Sequence, residues 1–158
     1  MAAFMRIIID GDGCPVRKIV IAVGKEKNIE VIIVQSIEHN IKDEATDIVK
    51  FISVDNSYQS ADMKIANIIL AGDILITGDY GLAALALGKR SLVISPSGKI
   101  FNNENMDQML FERHISASAR RMGKRTKGPA PRTKKDDEKF TAGLRFLIEG
   151  RKEDGSKI

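Results

Sequence analysis

Four aspartates lie where apolar runs give way to glycine or where a helix begins, and their carboxylates suit a divalent cation. Asp10 and Asp12 are two residues apart in IIIDGDGCPV, Asp79 lies in LITGDYG, and Asp62 lies in SADMKIA. Carboxylates at the end of a buried strand are poorly solvated and repel one another. At an effective dielectric constant of ~20, each close pair costs on the order of a few kcal/mol. A bound dication would remove that repulsion.

Mg²⁺ and Mn²⁺ suit such a cluster because they bind carboxylates and keep positions open for water and phosphate oxygens. The same arrangement supports metal-assisted hydrolysis of a phosphodiester, in which a metal-bound hydroxide attacks phosphorus. We therefore predict a nuclease whose metal ligands and catalytic residues are the same four acids, Asp10, Asp12, Asp62 and Asp79. Asp73 begins a strand, so we expect it at the opposite edge of the sheet and leave it out of the site.

Three polar residues near these acids are predicted to contact a bound carboxylate or phosphate, namely Thr77, Ser60 and Asn56. Each also has an ordinary structural explanation. Thr77 is a β-branched residue typical of a strand, Ser60 is a favoured helix N-cap, and Asn56 lies in a loop where polar residues are common. Asp62, in the first turn of a predicted helix, could equally act as a cap.

Apolar periodicity predicts alternating strands and helices. The predicted strands are Met5–Ile9, Ile29–Val34, Ile48–Val54, Ile74–Thr77 and Ser91–Ile94. The predicted helices begin at Pro15, around Asp43 and at Ser60, the last ending near Gly72, and others cover Gly81–Leu87, Asn105–Met122 and Asp136–Ile148. This alternation implies an α/β fold with a parallel five-stranded sheet between layers of helices. Ligands of such sheets bind outside the carboxyl ends of the strands, where Asp10 and Asp79 meet if their strands are neighbours.

The composition indicates a globular protein with one domain of ordinary size. The chain has 158 residues, of which 43% are hydrophobic and 29% are charged, so it can bury a substantial core. No apolar stretch approaches the roughly 20 residues of a membrane span, and residues 1–4 lack the pattern of a secretion signal. A single cysteine, Cys14, excludes an intrachain disulfide and a thiol zinc site. We therefore expect a cytoplasmic protein with no membrane partner.

Positive charge is concentrated in one segment near the C-terminus. Residues 1–112 hold 11 Lys or Arg and 15 Asp or Glu, whereas residues 113–135 hold nine basic residues and no acid. Such a segment attracts phosphates, so we predict RNA as a partner and DNA as a further candidate. A solvated linker is the alternative explanation. The predicted nucleic-acid-binding residues are Arg113, Arg120, Arg121, Lys124, Arg125, Lys127 and Arg132.

The same region suggests how the chain is divided. Glycine, proline and charge together mark residues 123–135, GKRTKGPAPRTKK, as a basic linker or mobile flap. We expect an α/β domain over residues 1–122 before it. The helix and tail over residues 136–158 are expected to pack on that domain.

Several sequence blocks resemble one known family. IIIDGDGCPV, SADMKIA, GDILITGDYGLAALAL, ISPSGKIF and GKRTKGPAPRTKKDDEKF match, in order, the blocks of the YaiI/YqxD family of uncharacterised bacterial proteins, domain of unknown function 188. The match covers nearly the whole chain after Met5. That family is similar to the PIN-domain ribonucleases. The resemblance implies a PIN-like fold with a parallel five-stranded sheet and an acidic site that uses magnesium or manganese.

The resemblance also implies individual roles for the four acids. Asp10 corresponds to the first PIN aspartate, and Asp12 matches the second acid of the family's DxD block. Asp62 corresponds to the aspartate that opens the helix before the fourth strand, and Asp79 to the aspartate of the TxD block.

The chain departs from the family pattern in three places. Gln59 stands where an acid is common, and Gly11 and Gly13 stand where alanine is usual. The glutamate that typical PIN nucleases carry between the first and third aspartates has no assigned counterpart, and neither Glu38 nor Glu44 is given that role.

Two other functions remain open on the sequence alone. DGDG after an apolar strand also resembles the nucleophile loop of haloacid-dehalogenase phosphatases, in which Asp10 would attack phosphorus and Asp12 would act as the acid. Against this, Cys14 and Pro15 stand where that motif has threonine or valine. The other alternative is a PIN-like module that binds RNA through residues 113–135 without cutting it. GDGCPV lacks the third glycine of a dinucleotide fingerprint, which disfavours that reading.

Overall fold

The computed structural model describes residues 5–12, 14–36, 46–55, 60–123 and 131–156, which contain six strands and five helices. The strands are β1 (Arg6–Asp10), β2 (Glu30–Ser36), β3 (Val49–Val54), β4 (Ile74–Ile76), β5 (Leu92–Ile94) and β6 (Ile100–Phe101). The helices are α1 (Arg17–Lys27), α2 (Ala61–Ile68), α3 (Tyr80–Gly88), α4 (Asn103–Arg121) and α5 (Lys134–Ser156).

The strands form one sheet in the order β3-β2-β1-β4-β5-β6, in which β1 to β5 run parallel. The chain moves outward from β1 through β2 to β3 and then returns to place β4 on the other side of β1. The position between β1 and β4 is therefore a topological switch point, where open α/β sheets bind their ligands. Because β1 and β4 are neighbours, Asp10 at the end of β1 and Asp79 just after β4 lie at the same edge of the sheet.

The predicted α/β fold with a parallel sheet is confirmed, but the predicted number of five strands is wrong. The sixth strand, β6, pairs antiparallel with β5. Its two residues are too few to give a periodic pattern in the sequence. The chain reverses in a turn in which the Ser95 N–H donates to the Lys99 carbonyl at 2.8 Å and the Gly98 N–H donates to the Ser95 carbonyl at 2.9 Å. Gly98 has a φ of +90° and lies against the backbone of α5, so a side chain there would be strained.

Both faces of the sheet are covered by helices, which explains why β1 is apolar without alternation. Ile7, Ile8 and Ile9 are all fully buried. Ile7 and Ile9 point into the core layer under α1 and α5, where they join Phe140. Ile8 points into the other layer, with Leu82 of α3. The C-terminal helix α5 is thus part of the same core as the central strand.

Helix boundaries differ from the predicted ones by a few residues. Ser60 caps α2 as predicted, but α2 ends at Ile68 rather than near Gly72. The reason is the Asp73 carboxylate, which accepts the Leu70 N–H at 2.8 Å and takes that residue out of the helix. Helix α1 begins at Arg17, two residues after Pro15. The helix predicted around residue 43 lies outside the described residues. No helix in the described part of the chain is long and apolar enough to cross a bilayer.

Candidate active site

The carboxyl ends of β1 and β4 bring Asp10 into contact with Thr77. Asp10 is the last residue of β1, and Thr77 directly follows β4 with only 1% of its surface exposed. Thr77 Oγ1 donates to Asp10 Oδ2 at 3.1 Å and accepts from the Asp79 N–H at 3.0 Å. A single buried hydroxyl therefore orients the Asp10 carboxylate at the switch point and connects it to the loop that carries Asp79.

Electrostatics at Asp10 reflect burial among like charges. Burial raises the pKa of Asp10 above its ordinary value, and the hydrogen bond from Thr77 partly offsets this rise. The carboxylates of Asp12, Asp79 and Asp62 raise the pKa of Asp10 further. The other three predicted acids are thus close enough to act on Asp10. Among the described residues, Asp10 makes no ion pair with a cationic side chain.

Asp79 and Asp62 both lie at the start of a helix at this edge of the sheet. Asp79 is the N-cap of α3, and its Oδ1 accepts the Leu82 N–H at 3.2 Å. Asp62 lies in the first turn of α2 and is exposed. The cap of α2 is Ser60, whose hydroxyl accepts the Met63 N–H at 3.4 Å. The alternative in which Asp62 caps its own helix is therefore wrong, and its carboxylate faces solvent.

Asp12 is held against the end of β2. The Ser36 N–H and hydroxyl both donate to Asp12 Oδ1, at 3.1 and 3.3 Å. The preceding residue follows the same strand, because the Gly11 N–H donates to the Val34 carbonyl at 2.8 Å. A Cβ at Gly11 would lie 2.8 Å from Ile33 Cγ2 and 2.9 Å from Val34 O. Glycine, where the family resemblance makes alanine usual, therefore permits a close approach of loop and strand.

The four acids share one edge of the sheet without forming a tight cluster. Among the residues that the structure describes, no three His, Cys, Asp or Glu side chains are close enough together to hold a metal ion. Of the three predicted polar partners, Thr77 contacts Asp10, Ser60 is occupied as a helix cap, and Asn56 lies outside the described residues.

Two of the predicted nucleic-acid-binding residues have described side chains. Arg121 is exposed and donates to Ser118 Oγ at 3.1 Å. Arg132 pairs with Asp137 at 2.7 Å and donates to the Pro96 carbonyl at 2.8 Å, with 25% of its side chain exposed. It is therefore an anchored residue and not part of a freely solvated linker. The remaining five lie outside the described residues or on α4 positions whose side chains are not described: Arg113, Arg120, Lys124, Arg125 and Lys127.

Arg17 is a residue that sequence reasoning missed. It is the first residue of α1, and its Nη2 donates to the Gly11 carbonyl at 3.0 Å and to Gln35 Oε1 at 2.9 Å. These contacts place a guanidinium beside the loop between Asp10 and Asp12. A basic residue near a helix start has no distinguishing sequence pattern, so only the packing of α1 on β2 reveals it.

The opposite edge of the same strand pair has its own aspartate. Asp73, placed there by the sequence prediction, pairs with Arg6 through contacts of 3.1 Å and 2.5 Å, and its side chain is 2% exposed. The hydrogen bond that Arg6 donates to the Asp73 carboxylate raises the pKa of Arg6 above its ordinary value. In the described part of the chain, the acid at this end of the β1–β4 pair is therefore buried and neutralised.

Comparison with known proteins places the chain in a family. The profile of the family described as "Uncharacterized BCR, YaiI/YqxD family" matches residues 8–150. The chain belongs to the YaiI/YqxD family. The family identified from the sequence blocks is thereby confirmed.

Relatives in this family align over nearly their whole length. A UPF0178 protein of Clostridium perfringens strain SM101 is 46% identical over 145 residues, which cover 92% of this chain and 95% of the relative. A UPF0178 protein of Clostridium kluyveri is 45% identical over 91% of this chain and 93% of its own. One from Alkaliphilus metalliredigens is 41% identical over 97% of both chains. No solved structure matches this chain.

Proposed function

We propose that this YaiI/YqxD chain is a metal-dependent, PIN-like ribonuclease that hydrolyses RNA phosphodiester bonds at the carboxyl edge of its sheet. The observation that supports this most is the state of Asp10. It is a half-buried carboxylate with a raised pKa, three further acids influence it, and no cation among the described residues pairs with it. Such a group is unfavourable in isolation and becomes favourable next to a dication.

The donor set fits Mg²⁺ or Mn²⁺. Both ions prefer oxygen ligands, and Mg²⁺ is commonly held by only one or two carboxylates while it keeps several waters. A loose set of acids therefore suits it, and Asp10, Asp12, Asp62 and Asp79 are the residues that would hold it. When bound, the ion would supply Lewis-acid activation of a phosphate oxygen and of water.

The protein's own groups orient this site. Thr77 fixes one oxygen of Asp10, and the N-cap contact with Leu82 fixes one oxygen of Asp79. Helices α2 and α3 both begin at this edge, directly after the loops that follow β3 and β4. The positive ends of their dipoles favour an anionic phosphate there and partly counter the repulsion from the acids.

An acidic site alone repels phosphates, so binding of the proposed RNA substrate requires an attraction elsewhere in the protein. The basic residues of 113–135 would supply the opposing attraction along the nucleic-acid backbone. The PIN-like assignment rests on the family resemblance together with the five parallel strands and the switch-point acids. Under this assignment the antiparallel β6 is an addition at the sheet edge.

The test is cleavage of single-stranded and structured RNA with Mn²⁺ and then with a chelator, using wild type, Asp79→Asn and Asp107→Asn. Asparagine is as good an N-cap as aspartate, so Asp79→Asn keeps α3 capped while it removes a charge from the site. Asp107 is exposed on α4 and provides the matched control. We expect metal-dependent cleavage that falls at least about 100-fold in Asp79→Asn and is unchanged in Asp107→Asn.

Other outcomes would assign a different function. RNA binding of equal strength in all three proteins without cleavage would favour a non-catalytic RNA-binding module. Release of phosphate from small monoesters, with Asp10 trapped covalently, would favour the haloacid-dehalogenase-like phosphatase. Cleavage that continues with chelator present would reject the dependence on metal.

A further inference from the structure

Two buried side-chain nitrogens lack a hydrogen-bond partner among the described residues, and both belong to arginines at the carboxyl edge of the sheet. They are Arg17 Nε and Arg132 Nη2. Buried donors are nearly always satisfied by protein, by ordered water or by a bound ion. Since a guanidinium carries a full charge, the strongest acceptor for such a donor is an oxyanion. The two nitrogens therefore indicate a ligand on this side of the site.

Arg17 is a charged group with no charged partner among the described residues. Its Nη2 is anchored by two neutral oxygens, the Gly11 carbonyl and Gln35 Oε1, at 3.0 and 2.9 Å. It makes no ion pair with any carboxylate in the described ranges. The first turn of α1 contains no acidic residue, and its N-cap, Val16, supplies no side-chain cap. A half-buried guanidinium that is fixed in place but electrically uncompensated is suited to binding an anion.

Arg132 is also fixed at the carboxyl edge of the sheet, by Asp137 and Pro96. Its Nε donates to Asp137 Oδ1 at 2.7 Å and its Nη1 to the Pro96 carbonyl at 2.8 Å. Pro96 lies in the turn after β5, so this guanidinium is held near the carboxyl ends of the strands. With 25% of its side chain exposed, Arg132 can be approached from solvent.

Cys14 lies near both arginines. Burial raises the pKa of the Cys14 thiol, whereas the charges of Arg17 and Arg132 both lower it. The carboxylate of Asp10 also acts on the same thiol. Arg17, Arg132 and Asp10 are thus all near enough to Cys14 to act on its thiol.

We infer that Arg17 and Arg132 form a binding subsite for a phosphate group beside Asp10. The identity of the ligand rests on the proposed function, under which the phosphate belongs to an RNA backbone and lies next to the bond that is cut. Free phosphate offers the same chemistry. A phosphate bound by the two arginines would leave the neighbouring phosphodiester of the RNA facing the acids. The site would then bind the RNA strand in one orientation.

Isothermal titration calorimetry in the presence of EDTA tests this subsite separately from catalysis. The two ligands are inorganic phosphate and a dinucleoside monophosphate, which contains one phosphodiester and no terminal phosphate. The variants are Arg17→Gln and Arg132→Gln. Arg145→Gln is the matched control, because Arg145 of α5 is likewise held by a charge-assisted hydrogen bond, to Glu26 of α1 at 2.8 Å, and has no buried nitrogen without a partner.

We expect wild type and Arg145→Gln to bind with equal affinity, and Arg17→Gln and Arg132→Gln to bind roughly tenfold or more weakly. Weakened binding of the dinucleotide supports an RNA phosphate, and weakened binding of inorganic phosphate alone supports a free phosphate. Equal affinity in all four proteins, or no saturable binding of either ligand by wild type, overturns the subsite.

Folding and catalysis are controlled separately. Thermal melts establish that each variant is folded. Should Arg17→Gln not fold, Arg17→Lys keeps the charge and removes Nε, and an unchanged affinity in that variant overturns the proposal. Because binding is measured without divalent metal, failure of wild type to cut RNA in the separate Mn²⁺ assay would reject the nuclease without affecting this result.

Discussion

The two ends of the β1–β4 pair differ in how the charge of an aspartate is compensated. At the amino end, Asp73 is buried against Arg6 and also accepts the Leu70 N–H, so its charge is fully compensated within the protein. At the carboxyl end, Asp10 has a hydroxyl from Thr77 and three neighbouring acids, but no cation among the described residues. The same residue type is therefore neutralised by an arginine at one end and, under the proposed function, is a metal ligand at the other.

The largest loss of stability is expected from a substitution at the amino end of the β1–β4 pair. Asp73→Asn leaves the Arg6 guanidinium largely buried without its counter-charge, and we expect a loss of about 3 kcal/mol in the free energy of unfolding. This is the lower end for a buried pair, because 21% of the Arg6 side chain still reaches solvent. Urea unfolding of the variant beside wild type measures it. A loss no greater than that of a surface substitution would mean that the two ends do not differ in this way.

A smaller effect is expected at Thr77. Thr77→Val preserves the shape of the side chain and removes the hydroxyl that donates to Asp10 and accepts the Asp79 N–H. Two partly buried polar groups lose a partner, so we expect a destabilisation of roughly 1–3 kcal/mol. A double-mutant cycle with Asp10→Asn measures how much of this cost depends on the Asp10 charge. Strict additivity would show that the contribution of Thr77 does not depend on the Asp10 charge.

The smallest expected change is a gain in stability, and it depends on pH. The pKa of Asp10 is raised above 3.8 in the folded protein, so its contribution to stability is fully present below pH 3.8 and is lost as the pH rises through the raised pKa. Asparagine does not titrate and still accepts from Thr77. Asp10→Asn should therefore be more stable than wild type by roughly 0.5–2 kcal/mol at pH 7, and this advantage should disappear near pH 3.

Unfolding curves of Asp10→Asn and wild type between pH 3 and pH 8 measure this difference, with Asp107→Asn as the control on an exposed site. A variant that is less stable than wild type at pH 7 would show that the Asp10 charge is compensated after all. The carboxyl end would then resemble the amino end.

Much of this contrast follows from the sequence, because strand position is a local property. An aspartate at the end of the apolar run IIID and another before the run ILIT are placed at opposite edges by strand direction alone. The pairing of Asp73 with Arg6, 67 residues earlier, is not local. It requires the register in which Ile7 lies opposite Ile74, and a single sequence does not contain that register.

The parts that could not be predicted share this dependence on tertiary contacts. Strand β6 exists because a two-residue segment meets the edge of β5, and the end of α2 is set by the Asp73 side chain. Only the contacts of Arg17 with Gly11 and Gln35 show that it lies at the site. By contrast, the core helices and parallel strands have repeated apolar positions, which a sequence displays directly.

Binding of Mn²⁺ tests most directly whether the carboxyl end is incomplete without a cation. An ion that binds only the folded protein raises the free energy of unfolding with its concentration, by about 2.7 kcal/mol at 100 times its dissociation constant. We predict a saturable, Mn²⁺-dependent rise of the unfolding midpoint in wild type and Asp107→Asn, and its loss in Asp10→Asn. A midpoint in wild type that does not change with Mn²⁺, or the same rise in Asp10→Asn, would contradict the account.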